Sequence, residues 1–139
     1  MNTIDHAAVH HPAHYQGRDG VEVIDVIEAM VGVSGHANNA IKYILRHKQK
    51  GRPAEDLAKA RWYIVRLSTS RERIEAQPTV GINRLAIICD AFGLEGHPRA
   101  ALANLHDALV AKAEDRYRAH LRDCAFCLDR EIDRLERLA

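Results

Sequence analysis

Aromatic residues are scarce in this chain of 139 residues, at 5%, and no apolar run approaches the roughly 18 to 20 residues that a membrane-crossing helix requires. Charge of one sign is also missing. The 20 Lys and Arg against 19 Asp and Glu leave a formal charge of +1, so no global field draws the chain onto duplex nucleic acid or an anionic membrane. Neither is an expected partner. Only three cysteines occur, Cys89, Cys124 and Cys127, an odd number that makes a poor disulfide framework. Reduced thiols are expected, and because Met1 to His14 has no signal-peptide core, the expected location is the cytoplasm. The phosphate-cradling spacing Gly-x-x-x-x-Gly-Lys-Ser/Thr is absent, as is a Gly-x-Gly-x-x-Gly turn after a strand, which excludes ordinary P-loop kinases and Rossmann enzymes.

What is present is helix-forming: 47% of residues are hydrophobic, β-branched runs are short, and Ala, Leu, Arg and Glu dominate the second half. The expected class is all-α. Residues 1–18, rich in His and without apolar period, read as an arm. A first helix is expected after Gly20, with Val23, Ile24, Ile27, Met30 and Val31 inward, and a second from about His36 to Lys48. Gly51 closes that helix and Pro53 suits the first position of a third, whose pattern persists toward Ala76 before Pro78. The stretch Pro78–Gly81 divides an N-terminal domain, 1–77, from a C-terminal extension, 78–139. The extension has a short helix ended by Gly93, then apolar residues three and four apart from Leu102 to Leu138 with no interior breaker. It is expected to form one long helix that folds back or mediates self-association.

Lys42, Arg46, Lys48, Lys50 and Arg52 place five cations within eleven residues and no acid among them. Asn38 and Asn39 stand a turn earlier. Ammonium, guanidinium and amide donors on one helix and its following turn can hold phosphoryl oxygens, and the next helix N-terminus adds free N–H groups. An ordinary solvated basic face is the alternative. Glu22 and Asp25 on the first helix, with Glu55 and Asp56 opening the third, could bind Mg²⁺, orient a sugar or base, or simply pair with neighbouring cations. His11, His14 and Tyr15 in the arm could stack on a base or donate to phosphate. Trp62 and Tyr63 offer either a stacking wall or core, and His120, Cys124 and Cys127 either a weak zinc motif or buried thiols.

Together, His11-Pro12-Ala13-His14-Tyr15, the run Gly20 to Glu28, Asn39-Ala40-Ile41-Lys42-Tyr43-Ile44-Leu45-Arg46, Lys50-Gly51 and the run Glu55 to Tyr63 resemble a small bacteriophage family, the P-loop-less nucleotide kinase domain. The resemblance spans residues 11–68; Asn38 departs from it, standing where family members often have Gly. It implies transfer of a phosphoryl group from a nucleoside triphosphate to a (deoxy)nucleoside monophosphate, with positioning and positive charge carrying catalysis. From their chemistry, Lys42 and Arg46 are candidate phosphate clamps assisted by Lys50 and Arg52, and His14 and Tyr15 would close over the nucleotide. Asn39 adds an amide donor. Glu22 and Asp25 would orient the acceptor or a divalent ion, and Asp56 would fix Lys42 or Arg46. Two alternatives stand beside the kinase: an all-α nucleotide pyrophosphohydrolase using the acidic group, and a non-enzymatic helical oligomer that sequesters a nucleotide or nucleotide-derived signal.

Overall fold

Small and branched apolar residues at Ala37, Ala40, Ile41, Ile44 and Leu45 repeat at the three- and four-residue spacing of one helix face, and all are buried. In a computed structural model, which describes residues 12–30, 35–70 and 82–139, they form helix α2, Gly35–Arg46. The other helices are α1 (Val23–Met30), α3 (Pro53–Thr69), α4 (Ile82–Ala91), α5 (Gly96–Val110) and α6 (Glu114–Leu138). Two 3-10 turns, Ala13–Tyr15 and Arg18–Gly20, precede α1, and no strand is present among the described residues. The protein is all-α.

Connections between helices follow local chemistry. Gly51 adopts φ +74°, a left-handed conformation that side chains disfavour, and Pro53 occupies the first turn of α3, where its missing N–H costs no hydrogen bond. Ser70 is extended (φ −88°, ψ 156°), so α3 closes at Thr69 instead of running to Ala76; residues 71–76 of the anticipated extension lie outside the described residues. The hydroxyls of Ser68 and Thr69 donate to the carbonyl of Val65 at 2.6 and 3.2 Å, competing with the helical ladder where it ends.

The expected single helix from Pro98 onward is two. Ala111 and Ala113 are extended, and the chain resumes as α6 with Glu114 and Asp115 in its first turn, where carboxylates oppose the positive helix end. No Gly or Pro causes the break. It is a tertiary effect: doubling back lets Leu102, Leu105 and Ala108 of α5 enter the same buried cluster as Tyr117, Leu121 and Leu128 of α6. Helix α6 packs on α5 and on α3, α3 packs on α2, and α5 reaches back to α2, which closes a four-helix core. The Tyr117 hydroxyl donates to the Leu67 carbonyl at 3.3 Å, tying α6 to the end of α3. Cys124 is buried on this seam, and burial pushes its thiol well above the ordinary cysteine range, so it acts as a packing group. No helix among the described residues is long and apolar enough to cross a membrane.

Because Leu128 is fully buried where α6 meets the core, Leu128→Ala should lower unfolding stability by about 2–5 kcal/mol. Urea denaturation followed by circular dichroism checks this; a loss within error would show that α6 is not integral to the core.

Candidate functional site

Three separated stretches meet where α2 turns into α3. Arg46, last residue of α2, is only 9% exposed in its side chain. Its guanidinium donates to the Tyr15 hydroxyl at 2.8 Å, lies 4.6 Å from the Tyr43 ring centroid, and places Nε 3.5 Å from Asp56 Oδ2. The Nε and Oδ2 atoms are buried and not aligned as a hydrogen bond, so the pair neutralises charge without saturating either atom. A buried guanidinium requires such a partner, which explains a carboxylate in the first turn of α3 that is itself buried.

One helical turn earlier, Lys42 faces a cavity of about 350 Å³. Pro12 and Tyr15 of the arm, Glu22, and Val23, Ile24 and Ile27 of α1 complete the lining. Most of this wall is apolar, and Ile24 is 52% exposed, an unfavourable setting for a large aliphatic side chain facing water. The Lys42 ammonium donates to Asn39 Oδ1 at 3.1 Å and lies 4.6 Å from the Tyr43 centroid; the Asn39 amide in turn donates to the Gly35 carbonyl at 3.0 Å, fixing which end faces the lysine. Lys42 forms no ion pair with a carboxylate among the described residues. Partial burial pushes its ammonium below the ordinary lysine range, and the charges of Arg46, Lys59 and Lys50 push the same way against Asp56.

The structure therefore separates the sequence candidates. Lys42, Tyr15 and Glu22 line the cavity, and Asn39 supports Lys42. Arg46 and Asp56 stand behind the site as a buried pair, which corrects the picture of Arg46 as an open clamp on the same free face as Lys42. Lys50 and Arg52 are exposed, Arg52 pairing with Glu55 at 3.4 Å, and Lys48 donates to the Gly93 carbonyl. These three residues lie in the turn between α2 and α3, beyond the end of the helix that carries Lys42 and Arg46, so the cationic run does not converge. Asp25 is exposed and accepts the Glu22 backbone N–H at 3.1 Å, satisfying a free donor at the start of α1 instead of facing the cavity. His14 lies in the first 3-10 turn with its side chain outside the described residues, as is all of His11.

Sequence reading missed Tyr43 and Lys59. The Tyr43 ring stacks on Tyr63 at 6.1 Å and 15°, and the Lys59 ammonium lies 5.6 Å from its centroid. The available signal was the (i, i+3) step from Asp56 to Lys59, which puts both on one side of α3. Trp62 and Tyr63 do not form a buried wall: Trp62 is largely exposed and meets Tyr63 edge-on at 5.0 Å. Among the described residues no group of three or more His, Cys, Asp or Glu side chains could hold a metal ion. Asp25 is turned to the backbone, Asp56 to Arg46, and Glu55 to Arg52 and Lys59, so three of the four carboxylates face different partners, and only Glu22 lines the cavity.

Residues 9–65 match a family model described as a protein of unknown function (DUF3310). No curated protein and no solved structure matches the chain. The family finding corrects the resemblance drawn from the same blocks: they match a family without an assigned activity, and nothing indicates a nucleotide kinase family. The matched blocks are rich in packing positions in this chain, with Val23, Ala40, Ile41, Ile44, Leu57 and Ala60 all buried.

Removing the buried counter-charge should be costly: Asp56→Ala is expected to lower stability by about 3–5 kcal/mol, read by urea denaturation, because Arg46 is left unpaired in the interior. In an NMR titration of ¹³C-methylated lysines, the Lys42 resonance should move at lower pH than a free lysine side chain. The folded state then binds fewer protons than the unfolded one between the two values, so Lys42 makes stability rise with pH across that window. A Lys42 resonance titrating at or above the ordinary lysine range contradicts this.

Proposed function

We propose that the protein binds a nucleoside phosphate in the cavity between the arm, α1 and α2. The observation that carries this reading is Lys42, a partly buried ammonium on the wall of a mainly apolar cavity, with no carboxylate paired to it. Such a cation is held in an unfavourable state that an anionic ligand would relieve. The rest of the lining suits the remainder of a nucleotide. Pro12, Val23, Ile24, Ile27 and the Tyr15 ring offer apolar contact for a base. A volume of about 350 Å³ falls in the range of about 300–1,000 Å³ typical of small-ligand sites.

Binding is better supported than turnover. Phosphoryl transfer needs donor and acceptor side by side with their oxygens in line, and this cavity has the size of one ligand. Asp25, the residue expected with Glu22 to orient the acceptor or a divalent ion, accepts the Glu22 backbone N–H at the start of α1. The protein thus acts as a carrier, sensor or sequestering binder of a nucleotide.

Isothermal titration calorimetry with the common nucleosides and their 5′-monophosphates tests the reading. At least one monophosphate should bind more tightly than its nucleoside and be recovered chemically unchanged. Lys42→Ala should weaken that binding by about tenfold or more, the worth of a hydrogen bond to a charged group, with far-UV circular dichroism unchanged. Equal affinity for nucleoside and monophosphate, or an unaffected Lys42→Ala variant, would remove the proposal.

A further inference from the structure

The charge around Tyr43 exceeds what a single phosphoryl group at Lys42 would use. Lys42, Arg46 and Lys59 all lie within 5.6 Å of that ring centroid, and they come from two helices. Arg46 is spoken for by Tyr15 and Asp56 and is buried, so it contributes field without an accessible donor. Lys59 differs. Its side chain is 47% exposed, and its partner Glu55, at 3.6 Å, is 48% exposed and shared with Arg52 at 3.4 Å. A solvent-exposed pair of this kind contributes less than a charge-assisted bond to phosphate, so Lys59 can exchange Glu55 for a ligand oxygen at small cost.

Position then orders the two lysines. Lys42 lines the cavity, whereas Lys59 does not line it and shares the Tyr43 ring with Lys42. The two ammonium groups lie no more than about 10 Å apart, as their distances to the common centroid require. A ligand whose base filled the cavity and whose first phosphoryl group met Lys42 would bring a second phosphoryl group to Lys59 if its chain ran along the Tyr43 ring that both ammonium groups adjoin.

On the reading above that the cavity takes a nucleoside phosphate, we infer that Lys59 forms a second phosphoryl subsite and that the preferred ligand is a nucleoside diphosphate over the corresponding monophosphate. Glu55 is the group displaced, and it remains paired with Arg52.

The test is calorimetric titration of the full chain with a nucleoside, its 5′-monophosphate and its 5′-diphosphate, without divalent metal, for the wild type and for Lys59→Ala, Lys59→Arg and Lys42→Ala. The wild type should bind the diphosphate about fivefold or more tightly than the monophosphate. Lys59→Ala should abolish that preference and leave monophosphate affinity within about twofold, Lys59→Arg should retain it, and Lys42→Ala should weaken both ligands. Monophosphate binding with no diphosphate preference in the wild type, or a preference that survives Lys59→Ala, overturns the Lys59 subsite and leaves the nucleotide cavity standing. Absence of binding by every phosphate overturns both.

Discussion

The burial of Arg46 is the constraint on which the rest of this structure depends. A guanidinium cannot enter an apolar interior alone, and here it enters only because the arm, α2 and α3 each bring something to it: a phenol, an aromatic face and a carboxylate. These groups lie far apart in the chain, at Tyr15, Tyr43 and Asp56. Satisfying one side chain therefore fixes the angle at which α3 leaves α2 and the course of the arm across α2. The cavity is a by-product of that arrangement, because the arm held by Tyr15 becomes its wall.

Much of the fold could be read from periodicity. The buried sets of α2, α3 and α6 repeat at helical spacing, and Gly51 with Pro53 marks the joint between α2 and α3 by conformational necessity alone. The break between α5 and α6 was not legible in the same way, since Ala111 and Ala113 do not forbid helix; what breaks it is apolar area that only the folded-back arrangement buries. Glu114 with Asp115 is a helix-start signal, so a clue existed without compelling the reading.

The site was less legible, for a geometric reason. Residues close in sequence are dispersed when a helix ends between them, and here α2 stops at Arg46 and the chain turns before Pro53, so a cationic run is not a cationic surface. Lys42 points to the cavity, Arg46 to the interior, Lys48 to the Gly93 carbonyl and Arg52 to Glu55. Conversely, Lys59 and Tyr43 belong to no shared motif and meet only after α2 and α3 pack. Acidic residues misled in the same way, since Asp25 and Asp56 at helix starts serve the helix and the buried arginine. Charge type was visible in the sequence; charge destination was not.

Gly17 carries one more implication. A Cβ there would meet Phe92 at 3.0 Å and the Ala91 carbonyl at 3.1 Å, and beside it Arg18 donates to the Asp90 carbonyl at 2.5 Å. The stretch that supplies Pro12 and Tyr15 to the cavity wall is thus clamped, a few residues on, to the end of α4. The family-matched region, 9–65, ends before α4 begins, so the anchor that holds one wall of the cavity in place lies outside the stretch that the family model describes.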